Sequence, residues 1–202
     1  SLTMKLEDEG SALLFGSANR SMRQPSFTDL YYNIGGAQGS IDLQPEWSDN
    51  FETGIRSALE INEKLSLSFE QSLFIRQGHN LIDWVRFAGE DTTRATNLRE
   101  VTFTGMETSL KLKSVNGNYI KANYTSMKAS ESSSGFESNY VLDFLKHQFN
   151  LRALLALPRE INLTFRYSLQ DREGGYYNPV DEIEEEFVPL NLFGVSISKN
   201  FM

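Results

Sequence analysis

Along most of this chain apolar and polar residues alternate one by one. From Ile161 to Gln170 the apolar set Ile161, Leu163, Phe165, Tyr167 and Leu169 interleaves with Asn162, Thr164, Arg166, Ser168 and Gln170. Successive side chains of a strand point to opposite faces, so the pattern predicts a strand with one apolar and one polar face. Asn50 to Leu59 repeats it, with Phe51, Thr53, Ile55 and Leu59 opposed to Asn50, Glu52, Gly54 and Arg56. In Leu65 to Arg76, Leu65, Leu67, Phe69, Leu73 and Ile75 oppose Ser66, Ser68, Glu70, Ser72 and Arg76. Further strands are predicted at Tyr119 to Met127, Phe149 to Leu157 and Leu190 to Lys199, with weaker signals at Ser11 to Arg20 and Leu2 to Leu6. Within Val101 to Lys113 the alternation slips near Gly105, which predicts a β-bulge. No stretch carries a sustained helical stripe. The expected fold class is therefore all-β, an antiparallel up-and-down meander of about eight or nine strands.

The connections sort by length. Glu60 to Lys64, Ser114 to Asn118 and Pro158 to Glu160 are short, the middle one carrying the Asn116-Gly117 hairpin signal. Ser21 to Ser48, Phe87 to Asn97, Lys128 to Lys146 and Glu173 to Pro189 are long and polar, and the two kinds alternate along the chain. Outer-membrane barrels sort their loops in this way, with tight periplasmic turns at one end and long extracellular loops at the other. Predicted strand lengths suit the ~9 to 11 residues that cross a bilayer at a tilt. The polar faces carry Glu52, Arg56, Glu70, Arg76, Lys121, Arg152 and Arg166, a set suited to a wet lumen. Alternation alone also fits a soluble β-sandwich or lipocalin-like barrel with its apolar faces inward.

Composition narrows the classes. The 202 residues include 19 Lys+Arg and 27 Asp+Glu, a net charge of −8, and no Cys. This excludes a disulfide framework, a thiolate metal site and a cysteine nucleophile. The acidic balance argues against nucleic acid as a partner. The longest apolar run, Ala153 to Leu157, excludes a membrane helix, which needs about 18 residues or more, but says nothing against a barrel.

Arg23-Gln24-Pro25-Ser26-Phe27-Thr28-Asp29-Leu30-Tyr31-Tyr32, followed by Asp42-Leu43-Gln44-Pro45-Glu46 and Asn50-Phe51-Glu52-Thr53-Gly54, resembles the C-terminal barrel region of TonB-dependent outer-membrane receptors. In that family an Arg-x-Pro-x-Phe-x-Asp/Glu-Leu-Tyr stretch precedes a Leu-x-Pro-Glu stretch and a Glu-x-Gly pair; here Gly39-Ser40-Ile41-Asp42 replaces the usual Gly-Asn-Pro-x ahead of Leu43. Asn80 to Trp84, Thr104 to Glu107 and Tyr167 to Arg172 resemble the following strands, and Lys199-Asn200-Phe201 resembles the aromatic ending of outer-membrane strands, with Met202 added. The resemblance implies a barrel of roughly 22 strands filled by a separate plug. It implies uptake of a large, scarce nutrient such as a ferric siderophore, cobalamin or heme, with energy supplied by the TonB complex pulling on an N-terminal segment. Residues 1–202 are then expected to be the C-terminal portion of the barrel, with plug and signal peptide outside this chain. The expected location is the outer membrane of a Gram-negative bacterium, with its lipid as one partner. A free-standing small barrel of structural or adhesive role is the alternative within the same membrane.

No catalytic constellation is present, and no cofactor motif. His79 and His147 are expected in separate loops, as solvated residues rather than metal ligands, and Gly35 to Gly39 lacks the Lys-Ser/Thr of a phosphate loop. Asp181, Glu182 and Glu184, within a run of carboxylates, are a weak candidate for calcium, with a solvated loop as the plainer reading. Tyr31, Tyr32, Trp84, Tyr176 and Tyr177 are the candidate ligand contacts, offering flat apolar surface to a bulky ligand. A girdle at the membrane interface is the other role open to them.

Overall fold

Every alternating segment is a strand, and most strands run further than the alternation predicts. The computed structural model describes residues 2–8, 10–87, 90–131, 136–138, 144–178 and 183–199. In chain order the elements are β1 (Leu2–Asp8), β2 (Gly10–Arg23), α1 (Phe27–Tyr31), β3 (Asn33–Ile34), β4 (Ala37–Gln38), β5 (Glu46–Asn62), β6 (Leu65–Phe87) and β7 (Thr93–Ser114). They continue with β8 (Tyr119–Glu131), β9 (Phe136–Ser138), β10 (Leu145–Leu157), β11 (Ile161–Arg172), β12 (Gly175–Asn178), β13 (Ile183–Glu186) and β14 (Leu190–Lys199). Nine of them form one antiparallel wall in the order β1-β2-β5-β6-β7-β8-β10-β11-β14, the meander expected from the sequence. Within the described residues β1 and β14 are the open edges of that wall.

Register decides which side chains share a face, because directly opposed residues of paired strands point the same way. Phe51 opposes Ile75 and Leu59 opposes Leu67. Leu67 opposes Leu112, which opposes Ile120. Further along, Leu155 opposes Leu163, which opposes Ile197. One face of the wall is thus a continuous apolar band. It lies open, with Phe51 50%, Leu73 55% and Phe193 81% exposed. A soluble sandwich would bury this face against a second sheet, yet the only other sheet among the described residues is the β12–β13 hairpin. A band that spans the wall far exceeds the ~300 to 600 Å² patch that a soluble monomer tolerates, so it requires an apolar medium.

The opposite face is polar. Arg56 stands opposite Glu70 and donates to it through Nε and Nη2 at 2.9 and 2.6 Å. Arg76 Nε donates to Asn50 Oδ1 at 2.9 Å. Short turns gather at one end of the wall. Gly117 takes φ +86°, and its N–H donates to the Ser114 carbonyl, closing a four-residue loop in place of the two-residue turn that Asn-Gly suggests. The Pro158–Glu160 turn holds Arg159 and Glu160 at φ +63° and +60°, left-handed positions unfavourable to side chains.

Two expectations are corrected. The connection expected from Phe87 to Asn97 is largely strand, since β6 has 23 residues and β7 has 22. Crossing the membrane takes ~9 to 11, so about half of this hairpin stands beyond it, where neither face meets lipid and simple alternation ends. The slip near Gly105 is not a bulge either, because Leu73–Met106 and Phe74–Gly105 pair in unbroken register. What changes there is the surroundings. Below Gly105 the apolar side chains Met106, Leu110 and Leu112 lie on the outer face; above it Val101 and Phe103 lie on the inner face and pack in a core. The register shifts in the wall occur instead at Glu60/Asn62 and Leu145/His147.

The buried core lies in this projecting part. Val85, Leu98, Val101 and Phe103 form one cluster, joined by Leu81, Met127, Ala129 and Phe144. Leu43, Ile82 and Ala95 form a second, joined by Leu30 and Trp84. The clusters cover opposite faces of the β6–β7 hairpin, and among the described residues the wall below has no comparable apolar cluster.

Candidate functional site

The long-connection end of the wall is capped by segments that clasp the β6–β7 hairpin. Their pairing is crossed: β4, from the connection beside β5, pairs with β7, while β9, from the connection beside β8, pairs with β6. Each connection therefore reaches past the nearer strand to the farther one. Asn80, at φ +52°, bends β6 at the base of this region. Asn97 fastens the bend, donating to the Asn80 and Gln44 carbonyls at 2.6 and 3.0 Å while accepting the Gln44 N–H at 2.8 Å.

Asp29 is the hub of the first clasp. The sequence places Ser26 three residues before Asp29, and the two form a reciprocal capping box at the start of α1. Asp29 Oδ2 accepts from the Ser26 N–H and hydroxyl at 2.8 Å each, and Oδ1 accepts from Trp84 Nε1 at 3.2 Å. Arg23 reaches Asp29 at 3.3 Å and forks onto Glu46 at 2.7 and 3.0 Å. Glu46 in turn accepts the Ile82 N–H at 2.8 Å. Burial alone would raise the Asp29 pKa, but the Ser26 and Trp84 donors and the Arg23 charge outweigh it and hold the carboxyl below its usual range. Gly39 seals the turn after α1, because a Cβ there would stand 2.7 Å from the Asp29 carbonyl oxygen. Gly54, of the Glu-x-Gly pair, has no room for a Cβ between the Phe15 ring and the Gln71 carbonyl. Residues of the sequence motif are thus anchors of the cap and wall.

Of the aromatic candidates, Tyr32 and Trp84 are brought together in an edge-on contact with centroids 6.0 Å apart. Tyr31 is exposed and leans on Phe27 at 4.8 Å, one helical turn away. Tyr176 and Tyr177 lie on β12, apart from this group, in register with Glu185 and Glu184 of β13. The tyrosine pair and Glu184 to Glu186 thus share one hairpin. Asp181 and Glu182 lie outside the described residues, and of Glu184 only the backbone placement is described. The histidines are not in loops, because the strands outrun the alternation: His79, on β6, stacks on Trp47 at 3.8 Å and approaches Glu100 at 3.4 Å, whereas His147, on β10, bonds the Tyr124 hydroxyl at 2.8 Å. Among the described residues no group of three His, Asp or Glu converges as metal ligands would.

Sequence reasoning did not assign α1 or the Asp29 hub. Five residues are too few for helical periodicity, but the Ser-x-x-Asp spacing was a readable signal. Below the cap, the inner wall forms an open groove of about 540 Å³ lined by Asn19, Asn50, Glu52, Arg76 and Glu107. Cap and groove together offer stacking surfaces and hydrogen-bonding groups, a constellation suited to binding and passage.

No curated protein matches the sequence. The profile of the family described as TonB dependent receptor-like, beta-barrel matches residues 2–188, nearly the whole wall and its cap. By that match and by its lipid-facing antiparallel wall, the chain belongs to the TonB-dependent receptor β-barrel family, whose members are receptors and transporters of the Gram-negative outer membrane.

Proposed function

We propose that this chain is the C-terminal portion of the barrel of a receptor that imports a large, scarce nutrient, such as a ferric siderophore, cobalamin or heme, with energy from the TonB complex. The observation that carries the reading is the division of the wall. An apolar outer band and a polar inner face run under a packed cap at the long-connection end. A nine-strand wall in which β1 and β14, among the described residues, are unpaired on one side cannot stand alone in lipid, where open edges leave backbone groups unsatisfied. Further strands of the same protein close it, and an N-terminal part carries the plug and the contact with TonB.

Nutrients of this size do not pass ordinary porins, which makes an energised, gated barrel worthwhile. In this reading Tyr31, Tyr32 and Trp84 of the cap, with Tyr176 and Tyr177 of the β12–β13 hairpin, meet the ligand from outside by stacking. Uptake is binding and passage, with no covalent change in the ligand. Deleting the encoding gene and supplying each candidate nutrient at limiting concentration tests the proposal. Expected is loss of TonB-dependent uptake of one of them, restored by the intact gene. Unchanged uptake of all three classes would contradict it.

A further inference from the structure

Charge is divided along the chain as sharply as polarity is divided between the faces of the wall. The four long connections, Ser21 to Ser48, Phe87 to Asn97, Lys128 to Lys146 and Glu173 to Pro189, hold 14 Asp+Glu against 4 Lys+Arg, a net charge of −10. All other residues together hold 13 against 15, a net charge of +2. Asp143, Asp181 and Glu182 lie outside the described residues, and without them the connections still carry −7. Strand ends beside the connections do not offset this, since Arg86, Arg99 and Arg172 are matched by Asp83, Glu100 and Asp171. Three of the four cations are engaged within the connections themselves: Arg23 with Glu46 and Asp29, Arg94 with Glu90, and Lys146 with Glu173. Two further features at this end have the same sense. The groove of about 540 Å³ under the cap sets Glu52 and Glu107 against Arg76. The cap also exposes the rings of Phe27 and Tyr31, whose faces attract cations and not anions.

We infer that the long-connection end is an electrostatic filter and that the cargo it admits is cationic. The inference rests on the chain being part of an import receptor, and it narrows the class of nutrient. The carboxylates act as a spread field rather than as a metal site, because among the described residues no three of them converge. A mouth lined by one sign of charge raises the encounter rate of the opposite sign by about 10 to 10³ and lowers that of its own. Ferric chelates built from catecholates or hydroxycarboxylates, and heme with its two propionates, carry net negative charge and are turned back. A metal chelate whose ligand keeps a free ammonium group is drawn in, and the exposed rings of the cap hold that group by cation–π contact. Charge therefore selects at the encounter, before any fit to the passage below is tested.

The test uses the full-length protein, otherwise free of cysteine, in nanodiscs of phosphatidylcholine, whose zwitterionic headgroups add no net charge. Ile34→Cys and Val188→Cys place a thiol in the long connections and Val115→Cys places one in a short turn, all at exposed positions. Each is modified by a trimethylammonium and by a sulfonate methanethiosulfonate. Expected in dilute salt is a cation-to-anion rate ratio about 10-fold or more higher at Ile34→Cys and Val188→Cys than at Val115→Cys. The ratios should converge near 1 M salt, where screening sets in at ~3 Å. Adding Glu184→Gln, Glu185→Gln and Glu186→Gln should lower the excess at Val188→Cys. Equal ratios at the three sites, or an excess indifferent to salt, overturn the filter whether or not the receptor is an importer. Uptake under nutrient limitation is the second readout. TonB-dependent uptake of a net-cationic nutrient supports the inference. Uptake of a neutral or net-anionic one overturns it while leaving the proposed function standing, and unchanged uptake of every class contradicts the proposed function instead.

Discussion

At the scale of single residues, the cap depends on Asp29 more than on any aromatic side chain around it. Its carboxylate joins α1, β2 and β6 through Ser26, Arg23 and Trp84. Asp29→Ala removes the cap box and leaves Trp84 without its acceptor, and is expected to cost about 1 to 2 kcal/mol of local stability. Limited proteolysis within residues 24–45 reads that loss. The pH dependence follows from the depressed pKa. The ionised form is favoured in the folded state, so its contribution is fully present above the unfolded value of about 3.9. It is lost as pH falls through the lower folded value. Protection against acid-stable proteases should therefore hold down to about pH 4 and fall below it in the wild type. In Asp29→Asn that step is absent. A second residue-scale expectation concerns Glu160, whose φ of +60° suits glycine. Glu160→Gly should stabilise the β10–β11 hairpin by about 0.5 to 1 kcal/mol, read as a higher urea midpoint for unfolding. A lower midpoint would show that the Glu160 side chain makes contacts that outweigh its backbone strain.

At the scale of elements, strands were legible because their period of two survives in any surroundings, whereas the assignment of faces was not. Phe51 and Phe103 are both apolar residues of strands, yet the first belongs to the open outer band and the second to a buried cluster on the inner side. Only the neighbouring strands tell them apart. The apparent slip at Gly105 has the same origin, a change of environment along a strand of unbroken register. The clasp of β4 and β9 around the β6–β7 hairpin leaves no local trace, since two- and three-residue strands are defined by their partners. The neighbourhood of Lys111, Lys121, Arg152 and Arg166 on the inner face has a similar origin, since they are opposed only through register. Motif residues were readable, but their role as anchors was not, because Arg23, Glu46 and Ile82 meet across three strands. The outer band itself yields a prediction for β11. Phe165→Arg should destabilise the assembled barrel by about 2 to 4 kcal/mol, as expected for a cation at mid-membrane. The same change at Ser168, on the inner face, should cost much less; equal losses at the two sites, read by heat-modifiable mobility in native gels, would remove the distinction between the faces.

At the scale of the whole molecule, the balance of exposed and buried residues departs from that of a soluble domain. Its fully buried side chains cluster in the projecting cap, while the larger part of the chain is a single layer with its apolar side chains outward. A wall of this kind acquires its stability from lipid on one side and from whatever fills the lumen on the other. Everything above depends on the identity of those two media, lipid outside and a polar lumen inside. Spin labels placed one at a time from Asn162 to Gln170, in the full-length protein in a bilayer, test it directly. A wall with lipid on its outer face gives high oxygen and low nickel-chelate accessibility at 163, 165 and 167, with the ratio falling at 162, 164, 166 and 168 in strict alternation. Nickel-accessible labels at 163, 165 and 167, or no alternation along the strand, would contradict it.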